Sequence, residues 1–495
     1  MPFSLVLPTV RACGAGVWTG LVLTCAPSLA LAQLAAEPAN PVVLTNAAQV
    51  HALSPELARQ NLPVRLEGVV THYHPRLSDG MSFQDATDGV YVSLERLKPD
   101  VTVGDRVVLE GETGSGDYAP IVLLRRLELL GPGELPRAER VSAGALATGR
   151  YDSRRVEVRG IVRSAVPARR SSGSPTHLAM ELRCEGSDLL VRISEHSPAS
   201  TNLVDAEILV RGIAGGVFSW QRQLLAPIVA AASEADVEVV RPARPVEELP
   251  VVTIHSLFHY SPDGFPQHRV RVRGRLLGRH GGGRLTVRDA TSGLFVESPE
   301  TINLSAGDDV ELFGFPEMRD HALWLTKALV RRLGPGAPPL PTRRSVAEAL
   351  RNPCELQRIT GVLCGPPRPG EGSWVLNLQE GNAEFEAWLP ATEGALPNWL
   401  REGAQLAVTG IAEPFVRPSQ RPTMFPFPRE LRLHTRMLSD VELVRAAPWW
   451  TSPQITRTVL ASLVGALLLL GLTTLAVAVL ARKNAALHEA REQLR

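Results

Sequence analysis

The chain has 495 residues, too many for one hydrophobic core, and reads as several domains of roughly 100 to 150 residues each. Lys and Arg number 52 against 51 Asp and Glu, so no bulk field points to a polyanionic partner, and nucleic acid is not expected. The basic residues are nearly all Arg, with Lys only at Lys98, Lys327 and Lys483, a bias that fits GC-rich coding better than selection for phosphate contacts.

Residues 1–32 read as a signal peptide: Arg11 precedes an apolar stretch reaching Ala26, and Ala30 and Ala32 in "SLALAQ" give the small-x-small pattern of a cleavage site after Ala32. Cys25 lacks the small preceding residue of a lipidation site. Once Cys13 and Cys25 leave, Cys184, Cys354 and Cys364 remain. Cys354 and Cys364 bracket the strand-like "LQRITGV", whose six steps at about 3.3 Å span about 20 Å, whereas bridged Cα atoms lie within about 7 Å. Free thiols are expected.

Four modules follow, over residues 33–135, 136–245, 246–338 and 339–447. Each opens its sheet with an alternating strand that ends in glycine: "VRLEGVV", "VEVRGIV", "VRVRGRL" and "QRITGVL". A second glycine-terminated strand comes 40 to 52 residues later, in "VGDRVVLEG", "VDAEILVRG", "AGDDVELFG" and "EGAQLAVTG", pairing Gly68 with Gly111, Gly160 with Gly212, Gly274 with Gly314 and Gly361 with Gly410. A hairpin lies between each pair, clearest in "MSFQDATDGVYVSLE" and "RLTVRDATSGLFVES", where Asp-Gly or Ser-Gly is expected to turn with positive φ. One more apolar strand closes each module, as in "LWLTKALVRRLG". Module 2 replaces the Gly-Asp turn with Val204-Asp205, and module 4 carries the proline-rich insertion "EPFVRPSQRPTMFPFPRE", expected as an exposed loop. "LGPGELP" and "LGPGAPPLP" read as linkers, and "TNAAQVHALSPELARQNLP" and "PTRRSVAEALRNP" as short capped helical leads. Five strands with an early glycine resemble the OB fold, so the predicted class is mainly β, tandem OB-like five-stranded barrels followed by one transmembrane α-helix and a short coiled-coil tail.

Thr458 to Ala481 form 24 residues without a charge, about 36 Å of helix against a hydrocarbon core of about 30 Å, so a span is expected over 455–481. Trp449 and Trp450 precede it as interfacial anchors. Arg482, Lys483, Arg491 and Arg495 on one side outnumber Arg445 and Arg457 on the other. That asymmetry predicts a bacterial inner-membrane protein with its bulk periplasmic and residues 482–495 cytoplasmic. Leu480, Leu487 and Leu494 recur every seven residues, as in a two-stranded coil, so a homodimer through the membrane and juxtamembrane helix is expected.

The layout of signal peptide, OB-like modules, Trp-Trp, one span and a charged helix resembles the extracytoplasmic sensor region of a bacterial membrane-bound sensor histidine kinase or related transducer. The resemblance implies a glycan, small-molecule or protein ligand outside and a kinase core C-terminal to this chain, and truncation before such an output domain is the expectation. The alternative is a membrane-anchored structural or adaptor protein of the cell envelope. His488 in "NAALHEAREQ" lacks the Arg-Pro surroundings of a phospho-accepting box.

No catalytic, cofactor-binding or metal-binding residue is assigned, and no cofactor is implied. His72 and His74 in "THYHP" share a strand face but lack a third ligand. His255 and His259 in "HSLFH" would share a helix face with no acidic partner at metal spacing. Trp220, Trp324, Trp374 and Trp388 are expected in outer strands, filling barrels rather than stacking on a ligand.

Overall fold

The computed structural model describes residues 43–493 apart from 76–78, 96, 170–174, 261, 263, 281–283, 299–302, 371, 392–395, 417–429 and 449–452. The signal peptide, most of the proline-rich insertion, Trp449, Trp450 and Leu494 therefore lie outside the described residues.

In module 1, β1 (Pro63–His72), β2 (Gly80–Gln84), β3 (Gly89–Ser93), β4 (Asp105–Gly114) and β5 (Ile121–Pro132) form a closed barrel in the order β1-β2-β3-β5-β4. Module 2 comprises β6 (Glu139–Arg140), β7 (Arg155–Arg169), β8 (Pro175–Cys184), β9 (Ser187–Glu195), β10 (Glu207–Phe218), β11 (Leu224–Ser233) and β12 (Val237–Arg241). Module 3 holds β13 (Val251–Val252), β14 (Val270–His280), β15 (Arg284–Arg288), β16 (Gly293–Val296), β17 (Asp309–Arg319) and β18 (Ala322–Gly334). Module 4 holds β19 (Thr342–Arg343), β20 (Leu356–Leu363), β21 (Arg368–Gly370), β22 (Ser373–Glu380), β23 (Ala383–Pro390), β24 (Gln405–Phe415), β25 (Glu430–His434) and β26 (Val441–Arg445). The pairings β7–β10, β14–β17 and β20–β24 close the later barrels as β1–β4 closes the first. In every module the third barrel strand runs parallel to the fifth. This is the five-stranded OB-like order, reached four times.

The paired glycines exist because strands cross too closely for a side chain. A Cβ on Gly68, Gly160, Gly274 or Gly361 would stand 2.6, 2.9, 2.7 or 3.1 Å from a carbonyl oxygen of the second strand. One on Gly111, Gly212, Gly314 or Gly410 would meet a carbonyl oxygen of the fifth at 2.3, 2.6, 3.0 or 3.0 Å. These are the tight bends that curl a sheet into a small barrel. The turn before the fourth strand is equally regular, with Gly104, Asp205, Gly307 and Gly403 at φ of 99°, 78°, 99° and 86°. Asp205 thus occupies the left-handed position where the other modules use glycine.

The expected positive-φ hairpin glycines are a correction. Gly89 and Gly293 are absent from the left-handed region. Their need for glycine comes from the next module: a Cβ on Gly89 would lie 2.1 Å from Ser153 O, and one on Gly293 would lie 2.1 Å from Cys354 O. The shared Asp-Ala-Thr segment has its own task. Asp85 Oδ1 accepts from Thr87 N at 2.7 Å and Asp88 N at 3.0 Å, while Oδ2 accepts from Ala47 N at 2.7 Å. That last bond ties α1 (Ala47–His51), which Asn46 caps, onto the β2–β3 hairpin. Asp289 repeats the arrangement with Thr291, Ser292 and Ile254 N, and Glu380 takes the role in module 4 by accepting from Val346 N of α4 (Val346–Arg351), the labels α2 and α3 going to Pro55–Ala58 and Ala143–Leu146. Each carboxylate satisfies a helix-start N–H that would otherwise be orphaned.

Each barrel carries its own apolar core, around Phe83, Met180, Leu312 and Leu406 respectively. A fifth cluster joins Leu277, Phe295, Ala322 and Trp324 of module 3 to Cys354, Leu356 and Ile411 of module 4. After the last barrel, α5 (Pro453–Gln493) contains a stretch of 36 residues, Arg457–Glu492, long and apolar enough to cross a membrane and wholly exposed.

Candidate functional site

The three junctions between modules are built from the same strand positions with different residues. In the first strand of modules 1 to 3 the register slips three residues after the glycine, leaving Thr71, Arg163 and Leu277 as bulge residues. From the following module, the residue after the second glycine is Ile213, Phe315 or Ile411. At the third junction the centre is filled. Besides its apolar cluster it holds His280 stacked on His434 at 4.9 Å between ring centroids, with His434 bonded to Glu413 and Arg284 Nη1 3.7 Å from the same carboxylate.

The first junction is open. Strand register makes Gly80 the counterpart of Arg284, Gly215 that of Glu413 and Ala230 that of His434. Where the later pair of modules has three bulky polar side chains, the earlier pair has two glycines and an alanine. The result is a cleft of about 570 Å³. Its module 1 wall is His72, Asp79, Ser82, Tyr91 and Ser93 at the β2–β3 face, with Asp117 and Tyr118 from the β4–β5 loop. Module 2 contributes Asp152, Arg192, Gly215, Gly216 and Phe218. A volume of this size lies in the range of small-molecule sites.

The walls are held across the junction. Tyr118 and Phe218 stack with centroids 4.9 Å apart and planes 7° from parallel, and Arg222 Nη2 donates to Ser115 O and, at 3.0 Å, to Tyr118 O. Arg155 N donates to Gln84 Oε1 at 2.9 Å. The cleft is electronegative: Asp79, Asp117 and Asp152 face one arginine, Arg192. Burial and then the charges of Asp79 and Asp117 push the Tyr91 phenol up, and burial, with a smaller contribution from Asp88, raises Asp152. Burial pulls His72 down, so its imidazole is neutral near pH 7. A larger cavity, of about 840 Å³, lies between modules 3 and 4, but it is lined by arginines already committed: Arg273 to Glu311, Arg275 to Asp309, and Arg288 and Arg344 to Glu355.

Of the residues singled out in sequence, His72 alone among the histidines reaches the cleft, where its Nε2 lies 3.3 Å from Ser194 Oγ of module 2. Among the described residues no group of three or more His, Cys, Asp and Glu is arranged to hold a metal. His255 and His259 meet edge to face at 4.4 Å, but on a single 3-10 turn (Ile254–Ser256) and its exit rather than an α-helix. Trp324, Trp374 and Trp388 do sit in strands; Trp220 does not, standing fully exposed at the tip of the β10–β11 hairpin. Cys184 and Cys354 are buried thiols and Cys364 an exposed one. Sequence reasoning missed the cleft because its key positions are glycines and an alanine. The signal available was the departure of Gly215-Gly216 from the alternation of its strand.

No family model and no curated protein matches the sequence. Among solved structures, a murine DNA-binding protein bound to double-stranded DNA is 10% identical over 36% of this chain and 97% of its own, with a TM-score of 0.22. A replication protein A heterotrimer bound to single-stranded DNA is 10% identical over 62% of this chain and 96% of its own, TM-score 0.19. The hypothetical protein ygiW from E. coli is 19% identical over 18% and 90%, TM-score 0.15. At these TM-scores none of the three carries an argument about what this chain binds.

Proposed function

We propose that the four barrels are the extracytoplasmic ligand-sensing region of a membrane-anchored signal transducer, and that the ligand enters the cleft between modules 1 and 2. The observation that carries this reading is the cleft itself, opened by Gly80, Gly215 and Ala230 where the equivalent positions of the third junction carry Arg284, Glu413 and His434. Its module 1 wall is the second-and-third-strand face with the flanking loops, the surface on which OB folds hold ligands, an analogy of fold that raises the expectation without fixing the ligand. Because both modules contribute walls, an occupant that touches both changes the balance between open and closed junctions, which is the differential binding a receptor needs. Three carboxylates against one arginine disfavour phosphates and suit a neutral or cationic small molecule with a ring to lie on Tyr91 or Phe218.

The exposed apolar helix supports anchoring, and the Arg and Lys residues flanking it support a periplasmic bulk with a cytoplasmic tail. No catalytic step is proposed for this chain. The test uses the full chain in nanodiscs, screened by thermal unfolding against neutral saccharides, organic amines such as choline and spermidine, and nucleotides as anionic controls. A saccharide or amine that raises the unfolding temperature in the wild type should lose its effect in Gly215→Phe. A Cβ there meets nothing within 4 Å, so the substitution fills the cleft without forcing the backbone. Stabilisation by nucleotides alone, or retained in the filled variant, would remove the cleft as the site. Protease added to spheroplasts should degrade the barrels and spare a tag at the C-terminus if the orientation is right.

A further inference from the structure

The cleft between modules 1 and 2 holds a buried hydroxyl without a partner. On β2, Met81 and Phe83 belong to the barrel core, so Ser82 between them faces outward. Strand register sets Ser82 opposite His72 on one side and Tyr91 on the other, which makes the three a row across β1, β2 and β3. All three line the cleft. Ser82 is only 8% exposed, yet its hydroxyl makes no hydrogen bond among the described residues. A buried hydroxyl in that state calls for a partner from outside the chain.

Negative charge gathers at the next residue of the row. The Tyr91 phenol oxygen lies over Gly80, where a Cβ would stand 2.2 Å from it, and Gly80 adjoins Asp79. Burial first, and then the charges of Asp79 and Asp117, raise that phenol. Among the described residues neither carboxylate has an ion pair or a side-chain hydrogen bond. The chain's own cations on the cleft walls do not answer them: Arg192 pairs with no carboxylate among the described residues, and burial keeps His72 neutral near pH 7. What the walls lack is N–H donors and positive charge together.

Taking the cleft as the ligand site, we propose that its occupant is an organic ammonium ion with N–H donors, its head beside Tyr91, Asp79 and Asp117 with a hydrogen bond to Ser82, and its carbon body along Phe218. Hydrogen bonds from an ammonium to carboxylates are charge-assisted and stronger than those from a neutral hydroxyl, and aromatic faces add a cation–π attraction. A neutral sugar satisfies Ser82 but leaves Asp79 and Asp117 without a counter-charge. A quaternary ammonium supplies the charge but no donor for Ser82.

Isothermal titration of the full chain in phosphatidylcholine nanodiscs tests this with two amines, tyramine and putrescine, and their uncharged counterparts tyrosol and butanediol. At least one amine is expected to bind saturably, once per chain, with its counterpart about tenfold weaker or more. Replacing both exposed carboxylates, Asp79→Asn with Asp117→Asn, is expected to weaken the amine about tenfold while circular dichroism stays that of the wild type. Ser82→Ala should weaken it several-fold. Absence of amine binding to folded wild-type protein, or binding unchanged in the folded variants, would overturn the ammonium ion. The cleft is judged separately through Gly215→Phe. A neutral saccharide whose stabilising effect disappears in that variant would keep the cleft as the ligand site and remove only the ammonium ion, whereas amine binding that survives it would remove both.

Discussion

A Cβ on Gly89 would strike the Ser153 carbonyl oxygen at 2.1 Å, whereas one on Gly215 meets open space. The two glycines therefore make opposite predictions. Gly89→Ala should push modules 1 and 2 apart at a cost of about 1–3 kcal/mol and speed proteolysis between them, while Gly215→Ala should leave both unchanged. Equal effects of the two substitutions on limited proteolysis would contradict the docking role assigned to Gly89. Sequence showed that Gly89 matters, through its place in the repeated Asp-Ala-Thr-x-Gly, but gave the wrong reason. A hairpin reads as local, and the atom that excludes a side chain lies more than sixty positions further along the chain. His280 sets a second expectation. Burial, then the neighbouring His434 and Arg284, hold its pKa well below the ordinary 6.5. Glu413 beside it is raised by burial but lowered further by its hydrogen bond with His434 and by the charges of His434, Arg284 and Arg432. Depressed folded values mean that the unfolded chain takes up protons first. The His280 contribution is thus complete above about pH 6.5 and is lost as pH falls from there toward its folded pKa, and that of Glu413 is lost at lower pH. His280→Gln should flatten the decline in urea midpoint between pH 7.5 and 5.5; an unchanged slope would show that His280 does not carry it.

At the scale of elements, the first strand and fourth strand of each barrel were readable because two glycines and an alternating pattern mark them, and the module core positions fall on their inward faces. Less readable were the leads. "TNAAQVHALSPELARQNLP" contains two short helices, α1 and α2, rather than one, because Ser54-Pro55 restarts the chain with its own cap. The lead of module 3 is a 3-10 turn at Ile254–Ser256 that periodicity could not distinguish from a loop. The last element, α5, runs unbroken to Gln493, and Leu480 and Leu487 lie exposed along it. Residues seven apart share one stripe, so if two chains pair through α5, Leu487 faces Leu487 across a seam. Cysteine at position 487 should then crosslink between chains in membranes several-fold better than cysteine at 485 or 489. Equal yields at all three positions would favour a helix lying along the headgroups instead.

Across the whole molecule the junctions differ more than the barrels do. The first is open and electronegative, the second is ionic, with Lys327–Glu181 at 2.9 Å joining Arg183–Glu317, and the third is apolar with a buried histidine pair. Barrel folding is specified locally by glycine and alternation, so each module was visible in sequence; junction character depends on which side chains occupy repeat-equivalent positions, and that appears only once the strands are in register. The contrast predicts how fragments behave. Residues 246–338 contain a complete barrel, yet cutting there strips the cover from Leu277, Phe295, Ala322 and Trp324, each at most 8% exposed in the intact chain. The freed patch costs on the order of a few kcal/mol in lost burial and offers a sticky surface, so this fragment should fold as β structure but self-associate and unfold earlier. Residues 246–447 keep the patch covered and should be monomeric and more stable. Sedimentation and thermal unfolding of the two fragments decide it. A short fragment that stays monomeric at tens of micromolar and melts with the longer one would mean that the apolar cluster contributes little, and that modules 3 and 4 are independent beads rather than one docked pair.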